Sequence, residues 1–520
     1  MRWFMAQIRK ILPVAAVSGL MLTSACGDDI AFKDRAPFNA PADAVAGLLG
    51  YFSVADKQTT CGNCHADEQA AWSQTHHADA WATLQASGAA QDFCEPCHTV
   101  SQNGNALTAA AGYPAVRDDT VLAAVYHDVQ CESCHGPGVD HVSNPQAVQP
   151  LASIVVASAA TNGCGECHSD VHQPFVEQWE SSKHGSGTSF SRGSNPSCSE
   201  CHSAQGALVE QFGVNAKYVE KGDAPLPIVC VVCHDPHDAT NPAQLRASLS
   251  DATPRNLCVK CHNRRTVPGE GSRGPHAAQG PLVLGQQVGW WPPGFEWLDG
   301  LTGTHGNPTA NPRLCATCHV EIFEVTDAQG GFVFQSVGHL FEAIPCLDAQ
   351  GIPTTATCAN NQRSWGACMG CHGTAANSQA VFEGFKSELN TLLDQIWVDV
   401  NGNTIIDPSP TDVGVLAQIL QVTGDQKQID MTDTLFTAAE GILYNAQIAA
   451  THDREHFLDG NTIVGPDTVA FSGHHTSGNG VHNPPFLRNL LRASIQHAIS
   501  YYGLPAPPAS VDLRLPAPPN

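Results

Sequence analysis

Apolar positions divide the 520 residues into stretches of different texture. Ile11 to Leu22 is a short, nearly unbroken apolar run. No later run reaches the ~18 residues needed to span a bilayer. Between about residues 60 and 375 no helical or strand period is sustained, and Gly and Pro punctuate the chain, which predicts short helices, long loops and little sheet. Beyond residue 375 the texture changes. Phe382, Phe385, Leu389, Leu392, Leu393 and Ile396 recur at helical spacing, as do Leu435, Phe436, Ala439, Ile442 and Leu443. Asn483 reads as an N-cap, with Pro484 and Pro485 opening a helix through Tyr501. A C-terminal helical bundle is therefore expected over 376–502, its faces used for packing and for a dimer surface. The tail LPAPPASVDLRLPAPPN (504–520) is expected to be extended and mobile.

The first apolar run follows Arg2, Arg9 and Lys10 and is followed by Ser24 and Ala25, the pattern of an export signal. Leu22-Thr23-Ser24-Ala25-Cys26 resembles a bacterial lipoprotein box, although Leu22 stands four places before the cysteine where the usual leucine stands three. The resemblance implies a lipid anchor at Cys26 and residence in the cell envelope, as an outer-membrane lipoprotein facing periplasm or exterior.

Composition sharpens this picture in one respect. There are 21 Cys and 25 His. Eighteen of the cysteines form nine copies of Cys-x-x-Cys-His. The cysteine pairs are Cys61 and Cys64, Cys94 and Cys97, Cys131 and Cys134, Cys164 and Cys167, Cys198 and Cys201, Cys230 and Cys233, Cys258 and Cys261, Cys315 and Cys318, and Cys368 and Cys371. The histidines are His65, His98, His135, His168, His202, His234, His262, His319 and His372. This is the attachment signature of c-type haem. Cysteines three apart lie on one side of a helical turn, in reach of the two vinyl groups of one porphyrin, and the next residue offers its imidazole to the iron. Structural zinc wants paired Cys/His sets, and disulfides do not explain a histidine after every second cysteine. Nine covalent haem c groups are expected. They leave little polypeptide per porphyrin, so the haems should supply much of the core and lie close together.

The sixth ligand follows by elimination. Of five methionines, Met1, Met5 and Met21 fall in the signal and Met369 inside a motif, leaving Met431. At most one haem is therefore His/Met, and the rest are bis-histidine or open; bis-histidine ligation predicts low potentials. His77, His184, His237, His276, His305 and His339 are the leading distal candidates. His127 or His141 should serve a haem of the first repeat, and His474, His475 and His482 are candidates from the C-terminal region.

The first six motifs are two copies of a three-motif unit, with starts spaced 33 and 37 residues, then 34 and 32. CGNCHADEQAAWSQTHH from Cys61 matches CGECHSDVHQPFVEQWESSKH from Cys164, and a tryptophan precedes a histidine by five residues in both, Trp72 to His77 and Trp179 to His184. His77 rather than His76 keeps this register. The tryptophans are expected to pack against porphyrin. The Trp-x-x-Ser/Thr-x-His element resembles the tetrahaem electron carriers of nitrifiers' hydroxylamine oxidation, over residues 55–265. The wider motif set resembles the large multihaem cytochromes in the envelope of metal-reducing bacteria. Gly480 to Pro484 resembles a stretch of ammonia-forming nitrite reductases in which the histidine is axial, which brings His482 into the ligand set. The organisation expected is a signal (1–26), a linker (27–58), three-haem units at 59–160, 161–250 and 251–375, the helical region (376–502) and the tail (503–520).

Three features complete the reading. Residues 262–314, with His276 and Trp290 to Gly294, are expected to form an ordered loop over haem faces. Cys346 and Cys358 stand outside the motifs and should form a disulfide in an oxidising compartment. Asp399, Asn401, Asn403 and Asp407 faintly suggest a calcium loop, with a solvated turn the expected outcome. The formal charge of −24 argues against a nucleic-acid groove and against electrostatic docking on anionic lipid. The function expected is electron relay from quinone-linked periplasmic cytochromes, with an outer-membrane porin among candidate partners, to an extracellular or soluble acceptor, metal oxides being the class the resemblance implies. The alternative is a reductase of nitrite, hydroxylamine or a sulfur oxyanion with one open haem. Against it, no Cys-x-x-Cys-Lys motif is present.

Overall fold

The motifs dictate short elements, because each needs only one turn to bring its two thiols to one side. A computed structural model describes residues 45–518, apart from 157–162, 171, 188–191, 215–223, 270–273, 432, 460–461, 465–466 and 470–478. Cys26, His474 and His475 lie outside the described residues. Motifs sit on single 3₁₀ turns at Cys61–Asn63, Glu95–Cys97 and Cys164–Glu166. Others sit on one or two α-turns at Cys131–His135, Pro196–His202, Cys230–Cys233, Cys315–His319 and Gly366–His372. Between them run loops and short helices such as α1 (Ala66–Trp72) and α2 (Phe175–Ser181). Sheet is confined, among the described residues, to four two-stranded antiparallel ladders: β1 (Tyr51–Ser53) with β2 (Gln58–Thr59), β3 (Phe323–Thr326) with β4 (Phe332–Ser336), β5 (Cys346–Leu347) with β6 (Pro353–Thr354), and β7 (Thr462–Val464) with β8 (Asp467–Val469). Cys346 and Cys358 are joined by a disulfide.

The apolar core is distributed unevenly. The first two motif units hold only small clusters, of three, six and eight buried side chains. The C-terminal region holds one continuous cluster, built where α3 (Ala375–Ile396), α4 (Val415–Thr423), α5 (Ala438–Ala449) and α6 (Pro484–Tyr502) pack together. On α3, Phe385, Leu389, Leu392, Leu393 and Ile396 form the buried stripe, and Thr374 caps the first turn. Phe382 is only half-buried and packs on Trp365. Leu435 and Phe436 do not lie on α5 as their spacing suggests. Thr437 and Glu440 form a capping box that starts the helix at Ala438, leaving Leu435 exposed. Met431 is buried in this same apolar core.

Trp290, in the segment expected to lie over haem faces, docks its loop on the C-terminal helices. Its backbone N–H donates to Asn445 Oδ1 (2.7 Å), Asn445 Nδ2 donates to the Trp290 carbonyl (2.6 Å), and its ring lies on Gly441, where a Cβ would stand 2.2 Å from it. Buried backbone groups need partners, and Asn445 supplies both. The proline-rich tail is likewise seated rather than free. Val511 and Leu513 pack on the core, Gln496 donates to the Leu513 carbonyl (2.5 Å), and Arg492 pairs with Asp512 (3.0 Å). The acidic loop closes on itself: Asp399 accepts the Gly402, Asn403 and Thr404 N–H groups, and the Asn401 and Asn403 side chains donate to Asp407.

Candidate haem sites

Sites are numbered 1 to 9 in motif order. At eight of them the motif histidine has a second histidine ring at a nearly constant distance. The pairs are His65 with His141 at site 1 (6.1 Å between ring centroids), His135 with His237 at site 3 (6.1 Å), and His168 with His77 at site 4 (6.2 Å). They continue with His202 and His276 at site 5 (5.9 Å), His234 and His339 at site 6 (6.3 Å), and His262 and His184 at site 7 (6.2 Å). His319 faces His482 at site 8 (6.2 Å), and His372 faces His305 at site 9 (6.2 Å). Two imidazoles bound through one nitrogen each to a common ion, with metal–nitrogen bonds of about 2.0 Å, would hold their centroids about 6 Å apart. The gap is too wide for ring stacking and fits one metal ion between the rings. Among the described residues no three His, Cys, Asp or Glu side chains converge as a metal cage, so each pair would be the chain's whole axial donation to one iron. The thiol pair of each motif supplies the covalent attachment.

The remaining ring nitrogens are anchored in a way that frees Nε2. Nδ1 contacts a backbone carbonyl in His135 (Pro150, 2.6 Å), His141 (Val148, 2.6 Å), His234 (Ala243, 2.8 Å), His319 (Phe341, 2.7 Å), His305 (Val481, 2.5 Å) and His339 (Val337, 2.9 Å). A carbonyl can only accept, so Nδ1 carries the proton and Nε2 is left as the metal-facing lone pair. Burial pulls His77, His184 and His339 down to about 4, which keeps them neutral and able to coordinate. At site 3 the hydrogen bond that the His237 ring donates to the Asp235 carboxylate raises the pKa of His237 against its burial.

The chain supports these histidines from afar. Glu132, inside the third motif, accepts the N–H groups of Leu49, Gly50 and Gly138, and so ties that motif to the turn preceding the Val139–Ser143 helix that carries His141. Burial pushes Glu132 up to about 7 although three N–H donors oppose the shift. Asn483, fully buried, donates to the Leu282 and Leu301 carbonyls and accepts from Gly303, which pins the Val481-His482 segment beside sites 8 and 9. The internal repeat reappears as hydrogen bonds. The Trp72 indole donates to the Val129 carbonyl (3.0 Å) and the Trp179 indole to the Ile228 carbonyl (2.8 Å), each two residues before the third motif of its unit. Each tryptophan thereby fixes the segment delivering His77 or His184 to the first motif of the following unit.

His98 differs. Its Nδ1 is anchored on the Ala80 carbonyl (3.0 Å) like the others, yet among the described residues no second histidine ring faces it. His127, the alternative to His141, stacks on Trp81 at 4.2 Å and contacts Tyr113. His76 is exposed. Which distal histidine serves which motif was not legible from spacing, and neither were the supporting roles of Glu132 and Asn483, because all of them are contacts between distant parts of the chain.

The profile of the family described as "Cytochrome c554 and c-prime" matches residues 60–136, and that described as "Doubled CXXCH motif" matches residues 217–266. They cover the first three motifs and the sixth and seventh. No curated protein and no solved structure matches the chain. The two matches support a multihaem c-type cytochrome with covalently bound haem c and haem-based electron transfer, and the regular structure around the motifs is mostly short helix with little sheet.

Proposed function

We propose that the protein carries nine haem c groups, eight with two axial histidines, and relays electrons at low potential within the bacterial cell envelope. The observation that carries this reading is the set of eight histidine pairs at 5.9–6.3 Å, each beside a thiol pair. Haem iron supplies a reversible one-electron couple, and the protein's part is to set its ligands, burial and surroundings. The N-terminal signal and Cys26 support export and a lipid anchor. Redox proteins of the envelope would deliver electrons, and an extracellular or soluble acceptor of the metal-oxide class would take them.

His98 supports a second reading, a multihaem reductase of nitrite, hydroxylamine or a sulfur oxyanion, because a site with one axial histidine leaves a coordination position for substrate. One experiment separates the two. Spectroscopic counting on the exported protein should give nine haems per chain, eight low-spin and one high-spin, with carbon monoxide binding to one. Turnover of one of these substrates, lost in His98→Met, would favour the reductase. Carbon monoxide binding to none would remove it. A redox titration placing most haems at high positive potential would overturn the bis-histidine relay.

A further inference from the structure

The loop that follows β4 meets three of the candidate haem sites. Ser336, Val337 and Leu340 are buried, and the loop is held by two distant parts of the chain. Gln178 of α2 donates to the Ser336 hydroxyl (3.1 Å) and accepts the His339 N–H (2.9 Å), so one side-chain amide fastens the turn that carries His339. Gly338 lies against the chain leaving motif 8, where a Cβ would stand 2.7 Å from the Val320 carbonyl carbon and 2.8 Å from the Val320 Cα. Phe341 closes the loop with its backbone at φ 56°, in the left-handed region. A bulky residue rarely adopts that conformation, and it persists only where the surrounding structure over-determines it, commonly at functional sites.

In this conformation Phe341 presents its carbonyl to His319, which donates its Nδ1–H to it (2.7 Å). Its ring packs on two distal histidines. The ring centroid lies 4.7 Å from that of His184, edge-on at 78°, and 5.4 Å from that of His339, tilted at 54°. Phe175 of α2 packs on His339 as well (4.9 Å, 80°). The two imidazoles that Phe341 touches stand in different attitudes: His339 is nearly parallel to His234 at site 6 (19°), and His184 is crossed with His262 at site 7 (71°). Rotation about a metal–nitrogen bond is soft, so the plane of an axial imidazole is set by what packs on it and by what holds its other nitrogen. We infer that Phe341 is a positioning residue shared by sites 6, 7 and 8. Its ring fixes the planes of His339 and His184, and its carbonyl fixes the tautomer and tilt of His319.

The inference rests on the bis-histidine reading and deepens it. Each axial imidazole interacts with one of the two iron dπ orbitals. Parallel planes act on the same orbital and split the pair, which gives an ordinary rhombic low-spin resonance. Crossed planes act on both orbitals and leave them nearly equal, which gives a resonance with one very large g value. The hydrogen bond from Nδ1–H makes the His319 imidazole more basic and so holds site 8 at lower potential. The test uses the exported, haem-loaded protein, with electron paramagnetic resonance of the oxidised form, redox titration and a haem count. His339→Met, His184→Met and His482→Met each convert one site to His/Met and so assign its signal. Phe341→Leu keeps the carbonyl and removes the aromatic ring; the resonances of sites 6 and 7 should shift while the potential of site 8 stays. Phe341→Gly frees the backbone and should also raise the potential of site 8. Phe341→Tyr keeps the ring and should keep the parent resonances. Unmoved resonances at sites 6 and 7 in Phe341→Leu, or equal shifts at sites 1 and 3, whose histidines Phe341 does not touch, overturn the inference. Should Phe341→Leu load fewer than nine haems, Phe341→Tyr decides: full loading with the parent resonances upholds the inference, and failure there too overturns it. A parent that binds haem without bis-histidine resonances removes the underlying reading, whereas a parent that shows them beside an unmoved Phe341→Leu removes this inference alone.

Discussion

Glu440 makes a sharp test of how the C-terminal helices are held. It is the third residue of α5, and one carboxylate oxygen accepts the Thr437 N–H (3.0 Å) while the other is buried without a partner. Burial, reinforced by Asp433 and Asp430, pushes it up to about 8 from an ordinary value of 4.5. The native state therefore keeps a proton that the unfolded chain releases. Between these two values the folded form binds more protons, and stability falls as pH rises. At about 1.36 kcal/mol per pH unit, the decline from about pH 5 to about pH 8 has a ceiling of about 4 kcal/mol. Glu440→Gln keeps an oxygen for the Thr437 N–H and carries no charge, so its stability should lose this slope. Because the chain holds several packing units, the measurement is hydrogen exchange of the α5 amides, corrected for intrinsic rates, across that pH range. In the parent the opening free energy should fall with pH, and in Glu440→Gln it should stay flat. Equal slopes in the two proteins would refute the argument that a buried, poorly solvated carboxyl is responsible.

Two further outcomes follow from other contacts. Trp179→Phe removes the indole donor to the Ile228 carbonyl and leaves that group unpaired in the second motif unit, at a cost of about 1–3 kcal/mol; urea melts should show the loss, and the low-spin signal of site 7 should broaden as His184 loosens, whereas an unchanged midpoint and spectrum would show that the tryptophan does not position this histidine. Cys346→Ser with Cys358→Ser opens a loop closed over a separation of 12 residues, which the chain-entropy account values at about 3 kcal/mol; protease should then cut between β5 and α3, and alkylation of both cysteines in the unreduced parent would reject the bridge.

The two motif units show how local rules and packing divide the work. In each, the thiol pair and its histidine occupy one turn, and the tryptophan, the Ser or Thr three residues later and the distal histidine follow within a short stretch. Thr75 and Ser182 donate alike to the carbonyls of Trp72 and Trp179 (2.8 and 2.7 Å), so that the backbone turn repeats as well as the text. The units part company at their middle motifs, where His202 finds His276 and His98 does not. That difference lies in loops with no repeat to reveal it.

Haem attachment was readable in the sequence because the chemistry is local: two sulfurs and a nitrogen must meet one porphyrin within five consecutive residues. The amphipathic stripe of α3 and the cap of α6 were readable for the same reason, each depending on neighbours one turn away. The start of α5 was not, since Leu435 and Phe436 continue the apolar spacing and only the Thr437–Glu440 box stops the helix before them. The tertiary structure alone decided which histidine rings face each other. His77 crosses to motif 4, His141 returns to motif 1, and His482 reaches motif 8 because Asn483 is fastened to Leu282, Leu301 and Gly303. No periodicity encodes such encounters; they exist only once distant segments have packed.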